Sequence, residues 1–408
     1  MTGSTACWQR VSFLHFSCSI NFMSTNKINL AVFGSTGSIG RSTLEIVRMF
    51  PDKFNVSVLA ANSSVELMAE QIAEFKPQYA GLTDEASAVK LKSVINTNAV
   101  KLVSGEDVFS LAGDADYDLM LAAIVGFSGL QSVLNAIDSG KNIALANKES
   151  LVAAGSLVLS KAKEKNVKVV PVDSEHSAVY QLLEGQNRQD LESITITASG
   201  GPFLKRDLKD FDSIKPDEAI KHPRWQMGKK ISLDSATLFN KALEFIEATW
   251  LFNLPPEKVD VVVHPQSLVH SLINFKDGST FAHMSETDMK GAIGYAINYP
   301  RPLLEKVLKK LDLPKIASLE FLELDQEKFP AIEIARKALT MGKAAGAVLN
   351  SANEYAGQAF MQGKVSFRSI YELVNDALSH FGALNYSNYE DLLEIDKRVG
   401  ENLQRQIR

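Results

Sequence analysis

The sequence predicts an α/β chain that begins with a parallel sheet carrying helices on both faces. Three observations predict it. Residues 28–33 (Ile-Asn-Leu-Ala-Val-Phe) form an apolar run of strand length. The turn Gly34-Ser35-Thr36-Gly37-Ser38-Ile39-Gly40 follows and opens a helical pattern through Arg48. Strand-like and helix-like segments then alternate at the spacing of βα units, which require a parallel sheet.

The elements follow in order. Residues 54–61 read as a second strand and 65–75 as a second helix. The alternation continues with a strand at 80–82, a helix at 85–94, a strand at 120–125, a helix at 130–139 and a strand at 142–146. Residues 167–172 read as another strand, and 192–198 alternates as one. The polar, Lys/Asp-rich stretch 203–221 predicts a mobile loop with a short helical part. A strong helix is expected over 235–252. Residues 259–263, 269–275 and 280–284 predict strands of a mostly antiparallel sheet. The Pro-containing segment 299–319 reads as a linker, and helices are expected at 331–341, 344–361, 366–381 and 389–407. There is no internal repeat.

Composition narrows the function. The chain has 408 residues, 45% hydrophobic and 22% charged, as in ordinary globular proteins with a sizeable core. Its 43 basic and 48 acidic residues give a net charge of −5, with no basic footprint for nucleic acid or an anionic membrane. A pocket for a small anion remains compatible with that balance. The two cysteines, Cys7 and Cys18, lie near the N-terminus. The main body therefore holds no disulfide framework, zinc–thiolate site or catalytic cysteine, and a reducing, cytoplasmic setting is expected. No stretch approaches the ~18 apolar residues of a membrane span. Residues 1–22 contain no acid and one short apolar patch, 11–16. They read as a non-structural extension, an over-long reading frame, with a targeting role as the competing reading.

Three constellations carry chemistry. The first is the glycine loop. Gly34, Gly37 and Gly40, placed between a strand and a helix, set backbone N–H groups and a helix N-terminus against a pyrophosphate. A tight turn without ligand has the same glycine spacing, but the surrounding βα units favour dinucleotide binding in a Rossmann-like domain. The second strand ends in Ala60-Ala61-Asn62-Ser63-Ser64 without an acid for ribose hydroxyls. That leans toward NADPH, whose 2′-phosphate repels a carboxylate.

The second constellation is Asp173-Ser174-Glu175-His176, at a strand exit where α/β sheets bind ligands. Asp173 and Glu175 can converge on a hard cation such as Mg²⁺ or Mn²⁺. Capping of a helix by Asp173 or Ser174 accounts equally for the same residues. The third runs from His222 through Trp225, Met227 and Gly228 to Ser235, Asn240, Lys241 and Glu244. Asn240, Lys241 and Glu244 share one helix face. A solvated salt bridge is the ordinary reading, and a phosphate site beside a metal the sharper one. Trp225 and Met227 read as part of a lid or as an anchored surface loop. Lys148, after the strand at 142–146, can face the same crevice. Ser199-Gly200-Gly201 suits an anion. The segment His264-Pro265-Gln266-Ser267 reads as buried polar support of the sheet.

Taken together, the sequence resembles the 1-deoxy-D-xylulose 5-phosphate reductoisomerase family. The resemblance rests on GSTGSIG (34–40), ANKESLV (146–152), PVDSEH (171–176), SGGPF (199–203), HPRWQMGKKISLDSAT (222–237), NKALEFIEA (240–248) and HPQSLVHS (264–271), in family order. It implies NADPH- and metal-dependent rearrangement and reduction of 1-deoxy-D-xylulose 5-phosphate to 2-C-methyl-D-erythritol 4-phosphate, the committed step of non-mevalonate isoprenoid synthesis. It also implies a homodimer with a Rossmann-like NADPH domain, a central α+β catalytic domain and a C-terminal all-α bundle. The expected division is an extension at 1–26, an NADPH-binding domain at 27–172, a catalytic and dimerisation domain at 173–298, a linker at 299–325 and a helical domain at 326–408.

By this resemblance Asp173, Glu175 and Glu244 bind the divalent metal, Mg²⁺ or Mn²⁺. Lys148 and Ser174 touch the hydroxyl end of the substrate. Ser199, Ser235, Asn240 and Lys241 hold its phosphate, with His222 beside it, and Trp225 and Met227 belong to the closing loop, where Trp225 touches the substrate. Gly34, Thr36, Gly37, Ser38, Ile39, Asn147, Glu149 and Gly228 contact NADPH, with Asn62, Ser63 and Ser64 at the 2′-phosphate end. Lys148, Asp173, Glu175 and Glu244 are the expected catalytic set. One departure stands out: some members place Gly-Lys-Asn where this chain has Asn62-Ser63-Ser64, so the lysine for the 2′-phosphate is missing. A thiol-dependent semialdehyde reductase is disfavoured by the absence of cysteine in the main body. A metal-free NADP(H) sensor is disfavoured by the three carboxylates.

Overall fold

The structure, a computed structural model, describes residues 27–96, 98–221 and 228–407. The extension expected at 1–26, together with His222, Trp225 and Met227, lies outside the described residues.

The first unit alternates β1 (Ile28–Phe33), α1 (Ser38–Met49), β2 (Phe54–Ala61), α2 (Val65–Phe75), β3 (Tyr79–Leu82), α3 (Glu85–Val94), β4 (Lys101–Ser104), α4 (Asp107–Asp114), β5 (Leu119–Ala122), α5 (Gly129–Asp138), β6 (Asn142–Leu145), α6 (Lys148–Glu164) and β7 (Val169–Pro171). The strands form one parallel sheet of order β4-β3-β2-β1-β5-β6-β7. The apolar run of β1 explains its central place: Leu30, Ala31, Val32 and Phe33 have no exposed surface. Each large side chain among them contributes about 1.5–3 kcal/mol by burial. Between β1 and β5 the strand order reverses, which opens the crevice where such sheets bind ligands.

Two glycines fix this crevice. Gly34 has φ +90°, and a Cβ there would lie 2.3 Å from the Ala123 carbonyl oxygen. A Cβ on Gly40 would lie 2.2 Å from the Gly34 carbonyl oxygen. The loop therefore folds tightly back on the start of α1, and no larger residue fits either place.

The second unit contains α7 (Ser174–Leu183), β8 (Leu191–Ala198), α8 (Pro216–Ala219), α9 (Lys229–Ala236), α10 (Phe239–Phe252), β9 (Val259–Val263), β10 (Val269–Phe275), β11 (Thr280–Met284) and α11 (Lys290–Asn298). Its sheet has the order β11-β10-β8-β9 and is mixed. β10 runs antiparallel to β8 and β11, while β8 and β9 are parallel.

The helix expected over 235–252 is two helices. Leu238, at φ 57°, separates α9 from α10. The Thr237 hydroxyl accepts the Phe239 N–H at 3.3 Å, and the Tyr371 hydroxyl donates to the Thr237 carbonyl at 3.1 Å. No glycine or proline marks this break, so hydrophobic periodicity runs through it.

A short α12 (Leu313–Ile316) lies in the expected linker, and α13 (Ala331–Met341), α14 (Ala345–Met361), α15 (Ser369–Phe381) and α16 (Tyr389–Gln406) complete the chain. One continuous core joins α10 to these last helices through Phe239, Phe245, Phe329, Val348, Phe367 and Val374. Helix α6 is wedged between α10 and α14. A Cβ on Gly155 would meet the Trp250 ring at 2.5 Å, and one on Gly346 would meet the Val152 carbonyl oxygen at 2.2 Å. Close approach at these glycines, with a kink at Ala154, sets the N-terminus of α6 against α10.

Candidate active site

The site grows from the ends of β6 and β7. The chain leaves β6 through Ala146 and Asn147 and enters α6 at Lys148. It leaves β7 and enters α7 with Asp173 as N-cap, whose carboxylate accepts the Ser174 N–H at 3.0 Å. Asp173 therefore caps the helix and faces the site at once. Helix α10 supplies Asn240, Lys241 and Glu244 from the opposite side.

Oxygen atoms of Asp173, Glu175 and Glu244 lie within 4.8 Å of one another. Two lysines stand among them. Lys148 Nζ pairs with Asp173, lies 2.7 Å from Glu244 Oε1 and donates to Asn240 Oδ1 at 3.1 Å. Lys241 Nζ lies 2.6 Å from Glu175 Oε1 and pairs with Glu244 Oε2. Burial works against charge on Lys148, but Asp173 and Glu244 outweigh it and hold the ammonium well above the ordinary lysine range. Glu175 and Glu244 raise Lys241 in the same way against its burial. The Ser174 hydroxyl donates to Glu175 Oε2 at 2.5 Å, and the Ser271 hydroxyl donates to the Glu175 carbonyl at 2.9 Å.

The donors suit a hard divalent cation, because all three are carboxylates. A second grouping, Asp173 with His176 and Glu247, also lies within 4.8 Å. His176 and Glu247 are fully buried and do not line the cavity, whereas Asp173, Glu175 and Glu244 do. The His176 ring packs beneath: its Nε2 is 2.9 Å from the Glu244 carbonyl and its Nδ1 is 3.5 Å from Glu247. Burial lowers His176 and, with Asp173 nearby, pushes Glu247 well above the usual carboxylate range.

The cavity measures about 310 Å³. It brings together Ser38 and Ile39 of the glycine loop, Lys148, Asp173, Ser174, Glu175, Ser199, Ser235, Asn240, Lys241 and Glu244. These residues were singled out from the sequence at widely separated positions. A smaller adjoining cavity links Gly37, Ser38 and Ile39 with Asn147, Lys148, Glu149 and Asn240. Gly34, Thr36, Asn62, Ser63, Ser64 and Gly228 line neither cavity. Gly37 is the N-cap of α1 and has no side-chain cap, so the first-turn N–H groups face the crevice. Gly37, Ser38, Asn62, Ser63 and Ser64 are exposed.

Sequence reasoning missed several lining residues. Ser267 and His270 face the main cavity, as do Thr287, Asp288 and Met289. Ser267 reads from the sequence as sheet support, and His270 stands later in the same HPQSLVHS motif (264–271). His264 does support the sheet: it is fully buried and its Nδ1 is 2.7 Å from the Glu320 carbonyl. Lys230 was also missed. Its Nζ is 2.8 Å from Glu149 Oε1 and 3.0 Å from Asp234 Oδ2. Glu149 is lowered because Lys230 overcomes the effect of burial. A lysine one helical turn before an aspartate reads as an ordinary surface pair, and nothing local points to Glu149, 81 residues earlier.

Comparison with known proteins places this geometry. Residues 30–155 match the family model described as 1-deoxy-D-xylulose 5-phosphate reductoisomerase, residues 169–252 its C-terminal domain model, and residues 284–402 a DXP reductoisomerase C-terminal domain model. A 1-deoxy-D-xylulose 5-phosphate reductoisomerase of Prosthecochloris aestuarii is 46% identical over 374 residues, covering 91% of this chain and 98% of the relative. The Chlorobaculum tepidum protein of the same name is 44% identical over 380 residues, covering 93% and 99%. The Zymomonas mobilis reductoisomerase in complex with NADPH superposes with a TM-score of 0.87 at 37% identity, covering 94% and 99%. A DOX-P reductoisomerase in complex with NADPH, fosmidomycin and magnesium superposes with a TM-score of 0.88 at 36% identity, covering 93% and 98%.

Proposed function

This chain belongs to the 1-deoxy-D-xylulose 5-phosphate reductoisomerase family, and on that premise we propose how its own residues carry the family's reaction. The enzyme converts 1-deoxy-D-xylulose 5-phosphate to 2-C-methyl-D-erythritol 4-phosphate with NADPH and a divalent metal. One observation carries the assignment of residues: three carboxylates from α7 and α10 converge, with Lys148 and Lys241, between the glycine loop and the Ser199/Ser235 pair.

When bound, a divalent cation held by Asp173, Glu175 and Glu244 supplies Lewis-acid polarisation of the ketone and its neighbouring hydroxyl, and NADPH supplies the hydride. The protein does the rest. Lys148 and Ser174 orient the hydroxyl end of the substrate, and the Lys148 ammonium offers a proton at Nζ to a developing alkoxide. Ser199, Ser235, Asn240 and Lys241 bind the phosphate. That binding, remote from the reacting carbons, supplies energy for positioning them. By the family resemblance His222 and Trp225 also contact the substrate. The first-turn amides of α1, with Thr36, Gly37, Ser38 and Ile39, hold the dinucleotide phosphates. Asn147, Glu149 and Gly228 also contact the cofactor.

The working units are a cofactor unit at 27–172, a catalytic and dimerisation unit at 173–298 built on a mixed sheet in which β10 is antiparallel to both neighbours, a linker at 299–325 and a helical unit at 326–408. A homodimer is supported by β11, an edge strand of the second sheet whose Phe281 is exposed. No helix among the described residues is long and apolar enough to cross a membrane. A cytoplasmic enzyme accords with the near absence of cysteine.

The test is consumption of NADPH with 1-deoxy-D-xylulose 5-phosphate, with and without Mg²⁺ or Mn²⁺, and with NADH in parallel. Metal-dependent turnover is expected. A folded protein that binds NADPH yet turns over under neither metal overturns the assignment.

A further inference from the structure

A chain of polar side chains runs from α14 to the cofactor crevice. Asn353 Nδ2 donates to Asp234 Oδ1 at 2.9 Å, and Asp234 Oδ2 lies 3.0 Å from Lys230 Nζ. Lys230 Nζ lies 2.8 Å from Glu149 Oε1, while Glu149 Oε2 accepts from Asn147 Nδ2 at 3.0 Å. Asn147 Nδ2 is anchored in turn on the Ile124 and Gly126 carbonyls, at 2.7 and 3.0 Å. Asn353, Asp234, Glu149 and Asn147 are all buried. Lys230 and Glu149 both line the small cavity shared with the glycine loop.

We propose that Lys230 is a positioning residue for the dinucleotide, acting through Glu149. The inference rests on the reading of this crevice as the NADPH site. Both Glu149 oxygens are engaged, so the carboxylate has one orientation only while Lys230 holds Oε1. The ammonium also offsets a buried negative charge that would otherwise face an anionic cofactor. Lys230 makes no ion pair with Asp173, Glu175 or Glu244 among the described residues, so its removal acts on the cofactor and not on metal or sugar phosphate.

The experiment is direct NADPH binding, by fluorescence of the reduced nicotinamide, to wild type, Lys230→Met, Lys230→Gln, Lys230→Arg, Glu149→Gln and the Glu149→Gln/Lys230→Met double variant. KM for both substrates is measured in parallel. Wild-type binding tests the underlying reading separately. Lys230→Met should weaken NADPH about 30-fold or more, since it strands a buried charge, and should leave KM for the sugar phosphate within about threefold. Lys230→Arg should restore most of the loss. On the Glu149→Gln background the same substitution should cost no more than about threefold, because the carboxylate through which Lys230 acts on the cofactor is gone. Unchanged NADPH affinity in Lys230→Met overturns the proposal. So does an undiminished loss on the Glu149→Gln background, or equal rises in both KM values. Lys230→Gln serves the same arms if Lys230→Met does not fold.

Discussion

Lys148 Nζ stands 2.7 Å from Glu244 Oε1, joining the first residue of α6 to the middle of α10 across 96 positions of sequence. The ammonium lies among the same three carboxylates that suit a divalent cation. Lysine and cation therefore compete for those oxygens.

The competition gives the first prediction. Lys148→Met should lower turnover by about 100-fold or more, through loss of the proton and hydrogen bond at the substrate hydroxyl. Yet Mn²⁺ binding without substrate should stay equal or become tighter, because one competing ammonium is gone. Steady-state rates and calorimetric Mn²⁺ titration of the same variant check both halves.

Glu354 gives a pH prediction. Burial first, with Glu149 adding to it and Lys230 opposing, pushes its carboxyl from the ordinary 4.5 up to about 7. A raised acid contributes stability that is fully present below the unfolded value and is lost as pH rises through the folded one. Between about pH 4.5 and 7 the wild type should therefore lose on the order of 3 kcal/mol through this group. Glu354→Gln should flatten that part of the stability profile, as read by Tm across pH.

Gly40→Ala tests the loop. Its Cβ would lie 2.2 Å from a backbone carbonyl that cannot swing away. The expected cost is at least about 2 kcal/mol, with loss of NADPH binding, measured by denaturant midpoint and cofactor fluorescence.

Ser63→Lys tests the missing cation. Asn62, Ser63 and Ser64 are exposed after β2. A lysine there should raise the preference for NADPH over NADH about tenfold, as a new charge-assisted contact to the 2′-phosphate. The ratio of kcat/KM for the two cofactors measures it.

How much of this was legible depended on distance along the chain. β1, the glycine loop and α1 could be read directly, because a buried run, tight turn and amphipathic helix are local patterns. Asp173 and Glu175 stood out as neighbours at a strand exit, but helix capping explained them as well. In the structure Asp173 caps α7 and lines the cavity at once, a dual placement that spacing alone cannot separate. Glu244 comes from α10, far along the chain, and Lys148 reaches it because the close contacts at Gly155 and Gly346 let α6 lie between α10 and α14. The break at Leu238 left no mark in the sequence, since its left-handed backbone is imposed by packing around Thr237. β4 and α4 escaped notice because β4 is a short edge strand with little buried surface. Lys230 escaped because its partner Glu149 is distant in sequence.

The proposed chemistry depends on metal held by Asp173, Glu175 and Glu244. Its most direct test is calorimetric titration of Mn²⁺ into wild type and into Asp173→Asn, Glu175→Gln and Glu244→Gln, with folding checked by Tm. One Mn²⁺ per chain is expected in wild type, with affinity at least about 100-fold weaker in each variant. Wild-type affinity retained in any of the three would contradict it.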